Sequence, residues 1–97
     1  LLKGNSSHLI VDEAIDWLKT GKAEQPFVLF VWFHAPHEPV AVTEKWTTPY
    51  AAQEPEDRRQ YLGSITCLDD AIGRLLGELD RTKRRDNTLI FFSSDNG

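Results

Sequence analysis

Two short runs, "PFVLFVWF" at 26–33 and "TLIFF" at 88–92, constrain this chain more than any other feature. Neither alternates apolar with polar residues, as a strand with one wet face would. Each has the length of a strand and is rich in Val, Ile, Leu or Phe. Phe27 to Phe33 and Thr88 to Phe92 are therefore predicted as strands covered on both faces, neighbouring or near-neighbouring and parallel in one sheet. Two strands do not make a stable sheet. A chain of 97 residues with two helices cannot cover four apolar strand faces, so it reads as a piece of a larger α/β domain.

The helices come from periodicity. Ser6, Ser7 or His8 could cap a first helix running to about Thr20, with Val11, Ile15 and Leu18 on its apolar face and Ala14 and Trp17 beside them. Gly21 is a stop signal. A second helix is predicted from about Glu56 to Leu79. Tyr61, Ile65, Leu68, Ile72, Leu75, Leu76 and Leu79 recur at steps of three and four, a stripe expected to pack on the sheet. Pro55 suits its first turn, and Asp70, Arg74 and Glu78 read as a solvated charge ladder. Gly63, Gly73 and Gly77 each cost about 1 kcal/mol of helix propensity. Gly73 and Gly77 flank the stripe, and close approach of a neighbouring element would explain that pair. Between the first strand and this helix, His34 to Glu54 is rich in proline and reads as a long irregular loop of the functional kind.

Charge and composition exclude some functions. A formal net charge of −4 argues against a nucleic-acid surface, and the one basic cluster, "RTKRR" at 81–85, falls where it complements a helix dipole. No apolar stretch reaches the roughly 18 to 20 residues that span a bilayer. Cys67 has no intrachain disulfide partner, and inside a helical pattern it reads as a small buried side chain. "NSS" at 5–7 satisfies the N-glycosylation pattern, a three-residue match of little weight.

In open parallel sheets ligands bind outside the carboxyl ends of the strands. There the first run delivers "HAPHEP" at 34–39 and the second "SSDNG" at 93–97. Asp95 and Asn96 both offer oxygen, which suits a hard cation such as Ca²⁺ or Mg²⁺, and Gly97 lets the backbone turn. The same residues are a strong turn signal, and taken alone they leave both readings open. Pro36 and Pro39 flank His37 and would hold its backbone extended, aiming an imidazole able to donate to an anionic oxygen or to act as acid or base. A histidine that fills a gap in the loop is the other reading. Glu38 is a weaker ligand candidate, His8 reads as surface, and Trp46 or Tyr50 could stack on a sugar or aryl group or merely pack.

With these residues in view, "PFVLFVWFHAPHEP", "YLGSITCLDDAIGRLL" and "DNTLIFFSSDNG" resemble, in order, blocks of the sulfatases, a branch of the alkaline-phosphatase-like superfamily. The resemblance covers about residues 8–97. It implies a three-layer α/β/α sandwich with a mostly parallel sheet, in which the whole chain, 1–97, is the middle of the catalytic domain. It also implies a sulfuric ester hydrolase acting on a sulfated sugar or aryl sulfate. Asp95 and Asn96 match the family's later Asp-Asn pair, which helps hold Ca²⁺ (or Mg²⁺). His37, before Glu38 and Pro39, matches the histidine that contacts sulfate and serves catalysis. His34 lies outside that pattern and offers itself as a control.

The family's nucleophile is a formylglycine made from Cys or Ser in a Cys/Ser-x-Pro-x-Arg motif. Cys67 is followed by "LDD" and does not qualify, so the nucleophile region is expected elsewhere, as are the family's early Asp pair and the C-terminal part. The expected partner is the remainder of the catalytic domain, without nucleic acid or membrane, and the chain alone is expected to be inactive. A phosphoryl or phosphonate ester hydrolase of the same superfamily, or a non-catalytic sulfatase-like module, is the alternative. The compartment is not legible, although the resemblance suggests a periplasmic, secreted or lysosomal one.

Overall fold

The computed structural model describes residues 5–22, 24–37 and 40–96. Helix α1 spans Ser6–Thr20 and a single-turn helix, α2, spans Glu44–Thr47. A 3₁₀ turn follows at Thr48–Tyr50, then the long helix α3 at Glu56–Arg81 and a second 3₁₀ turn at Arg85–Asn87. Glu38, Pro39 and Gly97, named above, lie outside the described residues.

The start of α1 is set by Asn5. Its side-chain oxygen accepts the Ser7 N–H at 3.3 Å, so the cap falls one residue before the serines. Gly21 ends the helix in an extended conformation, φ −77° and ψ 153°, without the left-handed turn. α3 closes differently. Lys83 takes φ 57°, its N–H reaches the Asp80 carbonyl at 3.0 Å, and the Arg84 N–H reaches Leu79 at 2.8 Å. That is the Schellman pattern with lysine where glycine is usual. The turn brings Arg84 back to donate to the Leu18 carbonyl of α1 at 3.3 Å, so the basic cluster satisfies one of the orphan acceptors at a helix C-terminus.

The core lies between α1 and α3. Val11, Ala14 and Leu18 of α1 are buried, as are Ser64, Cys67, Ala71 and Leu79 of α3. The α3 face turned inward is thus made of small residues, which lets the two helix axes approach closely. The stripe predicted for that role lies one position, about 100°, further round the helix. Its Tyr61 and Ile65 are exposed at 46% and 40%, and Leu68, Ile72 and Leu75 are only half-buried. The expectation of a large apolar stripe packed on a sheet is not met, because no sheet is present among the described residues for it to meet.

Neither predicted strand forms. Residues 26–33 and 88–92 are extended, but no residue described is in a ladder. Every backbone hydrogen bond outside the helices spans five residues or fewer, so none links the two segments. The first still has the period of a strand. Phe27, Leu29, Val31 and Phe33 are half-buried, whereas Val28, Phe30 and Trp32 are exposed at 77%, 76% and 84%. In the second, Leu89 and Phe91 are exposed more than Ile90 between them. The physical reason is that a strand is completed by its neighbour's backbone, whereas a helix is completed by its own. The shape agrees: a radius of gyration of 15.3 Å exceeds the about 12.5 Å expected of a compact chain of this length.

The stretch 34–54 is less irregular than its prolines suggest. Trp46 of α2 is buried, the Val42 N–H donates to Gln60 Oε1 at 3.0 Å, and Tyr50 and Thr66 hydroxyls lie 2.6 Å apart. Gly63 makes this docking possible. A Cβ there would stand 3.0 Å from the Trp46 carbonyl oxygen and 3.1 Å from Val42 Cγ2. Gly73 and Gly77 have no such neighbour, since a Cβ at either would meet no described atom within 4 Å. The close approach predicted for that pair belongs to Gly63.

Candidate functional site

The structure places "HAPH" at the end of the first extended segment, as a turn. The His37 N–H donates to the His34 carbonyl at 2.9 Å, across a cis Ala35–Pro36 peptide. His37 therefore leaves a closed four-residue turn and does not continue an extended backbone, which corrects the sequence reading. The turn also brings the two imidazoles together, with centroids 5.1 Å apart and planes tilted by 31°. Both residues are exposed.

At the end of the second segment the backbone bends at Asp95, and the Asn96 N–H approaches Ser94 Oγ at 3.4 Å. Ser93 Oγ donates to the Ser94 carbonyl at 3.1 Å. Asp95 and Asn96 are exposed, so the bend presents two consecutive oxygen-bearing side chains to solvent. The donors suit Ca²⁺ or Mg²⁺ in kind. They do not suffice in number, since Ca²⁺ takes six to eight oxygens. Among the described residues no group of three or more His, Cys, Asp or Glu is arranged to hold a metal ion.

Other sequence candidates resolve as structural. Trp46 stacks on His8, with centroids 5.5 Å apart and 22° between the planes, and Lys45 Nζ stands 4.3 Å from the Trp46 ring centroid. Tyr50 is half-buried with its hydroxyl 2.6 Å from that of Thr66, so both aromatics of the 41–53 stretch are engaged by the chain itself. His8 is no idle surface residue. Arg74 Nη1 lies 2.8 Å from its Nδ1, and because arginine only donates, Nδ1 accepts and the proton of the neutral ring sits on Nε2. That buried Nε2 stands 3.4 Å from Asp70 Oδ2, close enough for attraction but without hydrogen-bond geometry. Arg74 also pairs with Asp12 of α1, and Glu78 pairs with Arg81. The expected ladder along α3 is thus replaced by ties to α1 and a pair at the helix end.

Cys67 is fully buried between the helices, and its thiol pKa is raised, first by that burial and then by Asp70. Raising it disfavours the thiolate, the opposite of what a nucleophile requires. The pairing of the two histidines in the 34–37 turn is a feature that the sequence analysis missed. Its signal was present: His-x-Pro-His puts a turn-forming proline between imidazoles three residues apart.

Helices that alternate along the chain with extended apolar segments, each followed by a polar turn, have the element order of an α/β domain. The sulfatase family model matches residues 2–97, and the chain belongs to the sulfatase family. It is 32% identical to the N-acetylgalactosamine-6-sulfatase of Homo sapiens, over 98% of this chain and 17% of that protein. It is also 32% identical, over the same shares, to the uncharacterized sulfatase YdeN of Escherichia coli. A sulfatase of Formosa agariphila is 31% identical over all of this chain and 20% of its own length. The chain thus spans about one sixth of the first curated relatives it matches. No solved structure matches it. Membership implies the alkaline-phosphatase-like α/β fold, of which the described residues show the helices but no strands.

Proposed function

We propose that residues 1–97 are the middle of a sulfatase catalytic domain that hydrolyses a sulfate ester, on a sulfated sugar or an aryl group. The observation that carries this reading is the continuous family match from residue 2 to residue 97, which takes in both polar turns. Cleavage of a sulfate ester builds charge on the sulfuryl and leaving oxygens, and preorganised donors lower the barrier most. His37 supplies the imidazole donor to one of those oxygens. Asp95 and Asn96 would hold Ca²⁺ (or Mg²⁺), which when bound neutralises charge on the sulfuryl group. The nucleophile, a formylglycine, lies outside these residues, and so do the remaining metal ligands.

The test is His37→Ala in the complete enzyme, with turnover on an aryl sulfate measured beside the melting temperature. Loss of an aimed donor lowers kcat about 10²- to 10³-fold with the fold intact. Near-normal turnover per folded molecule overturns the role. The isolated 97-residue chain is expected to show no sulfatase activity and only weak Ca²⁺ affinity, because two adjacent ligands leave most of the coordination shell unfilled. Micromolar Ca²⁺ binding by the chain alone in calorimetry counts against the assignment of Asp95 and Asn96.

A further inference from the structure

We propose a binding site for an anionic sugar unit in the cavity between the end of α1 and the start of the first extended segment. It lies at the opposite end of that segment from the His34–His37 turn, and it does not rest on the catalytic reading above. It stands on the size, the aromatic walls and the charge of the cavity.

The cavity has a volume of about 340 Å³, within the range of small-ligand sites. Trp17 and Phe27 are its aromatic walls, edge to face, with centroids 6.0 Å apart and 75° between the planes. Trp17 is 47% exposed, so much of the indole is left for a ligand to cover. Among the described residues, both charged side chains that line the cavity are basic, Lys22 and Arg84. Arg84 Cζ stands 5.9 Å from the Phe27 centroid, and its bond to the Leu18 carbonyl uses one of five N–H donors. Lys22 is in no ion pair among the described residues. The end of α1 opposes these cations with about half an elementary charge on its carbonyls. Two of those carbonyls are already engaged, Leu18 by Arg84 and Trp17 by the Thr20 hydroxyl at 2.7 Å. Two whole cations against that fraction leave the cavity positive, although the chain has a formal net charge of −4.

A ligand that fits has a flat apolar face for Trp17, an anionic group for Arg84 and Lys22, and hydroxyls for Thr20 and Gln25. A sugar ring bearing a sulfate or a carboxylate has all three. An inorganic anion lacks the first, and a neutral sugar lacks the second. Residues 28–33 are extended between Phe27 and His34, roughly 20 Å at the rise of a strand. A unit bound here is therefore not the one that meets the His34–His37 turn.

The test is binding to the complete enzyme labelled with fluorotryptophan and read by fluorine NMR, the Trp17 resonance being identified by its loss in Trp17→Phe. Glucuronate and glucose 6-sulfate are the probes, one for each anionic group, and glucose and inorganic sulfate are the controls. The Trp17 resonance is expected to shift saturably with a probe at millimolar concentration and to stay in place with either control. A response to either probe supports the site, and the stronger one identifies the group that the cations select. Lys22→Gln is expected to weaken binding roughly 2- to 5-fold, and Lys22→Arg to keep it. Arg84→Gln is expected to weaken it roughly 10-fold or more, the scale of a hydrogen bond to a charged group. Because Lys22 holds no other element in place, its variants test the charge even where Arg84→Gln disturbs the fold. Turnover is not read, so the fate of the catalytic role of His37 leaves the outcome unchanged. A Trp17 resonance that ignores both probes overturns the proposal, as does unchanged affinity in Lys22→Gln. An equal response to glucose overturns it by removing charge from the recognition, and an equal response to inorganic sulfate by removing the sugar. A Trp17 ring closed to a soluble quencher in the complete enzyme also overturns it, because another part of the protein then fills the cavity.

Discussion

The helical layer and the two extended segments both carry apolar residues to bury, yet only the first has buried a face. In α1 and α3, Val11, Ala14, Leu18, Cys67, Ala71 and Leu79 are buried. In the extended segments, Val28, Phe30, Trp32, Leu89 and Phe91 each stand more than three-quarters exposed. The difference is one of hydrogen bonding before it is one of hydrophobicity. A helix satisfies its backbone locally and can then bury one face against a single partner. A doubly covered strand needs a neighbouring backbone and cover on both faces; the residues described supply no ladder and cover only one face of the first segment in part.

The largest test of this contrast is Phe30. In the complete enzyme the exposed face is expected to be covered, so Phe30→Ala costs about 3 to 5 kcal/mol, read by denaturant unfolding. In the 97-residue chain the same face drives self-association, so Phe30→Ser lowers the sedimenting mass and leaves the helical circular dichroism unchanged. A complete enzyme indifferent to Phe30→Ala breaks the comparison, because the face would then be bare in both.

The helical side predicts smaller effects that need no other part of the protein. Leu18→Ala removes a buried side chain between α1 and α3 and costs about 2 kcal/mol or more in the chain itself. Gly63→Val drives a Cβ against the Trp46 carbonyl, a backbone atom that cannot swing aside, at a cost of about 1 to 3 kcal/mol. A red shift of Trp46 fluorescence should accompany it, and an unshifted spectrum with wild-type stability would show that the 41–53 stretch is not docked there.

Gly77→Ala sharpens the contrast by sign. With open space at that Cβ, the chain gains about 1 kcal/mol of helix propensity. A loss in the complete enzyme would show a neighbour packed on that face of α3, and equal gains in both would show none. The smallest effect is in pH. The hydrogen bond from Arg81 holds the Glu78 carboxyl below its ordinary value of 4.5. A depressed carboxylate pKa contributes stability that is present above the ordinary value and is lost as pH falls through the depressed one. The gap in melting temperature between wild type and Glu78→Gln should therefore close on acidification below about pH 5. A gap independent of pH would assign the effect to packing.

Read from sequence, both helices, their registers and the end of α1 at Thr20 were legible, because periodicity and caps are local. So was the placing of a polar turn directly after each apolar run. Less legible was which face of α3 is buried. The stripe of large residues pointed to Tyr61 and Ile65, whereas the face turned to α1 is the small one of Ser64, Cys67 and Ala71. Size of side chain ranks burial only when the partner is known, and here the nearest partner is a helix that rewards close approach.

Sequence alone determined where the chain can be helical, where it must be extended, and that imidazole, carboxylate and carboxamide follow the extended runs. The tertiary structure decided what those groups touch. It seated Trp46 against His8, tied Tyr50 to Thr66, and made His8 a joint among Trp46, Asp70 and Arg74. The physical reason is range. Propensity, capping and hydrophobic period act over a few residues along the chain. The contacts that fix Tyr50, Trp46 and His8 instead join residues 16 to 66 positions apart, from Tyr50 with Thr66 to His8 with Arg74.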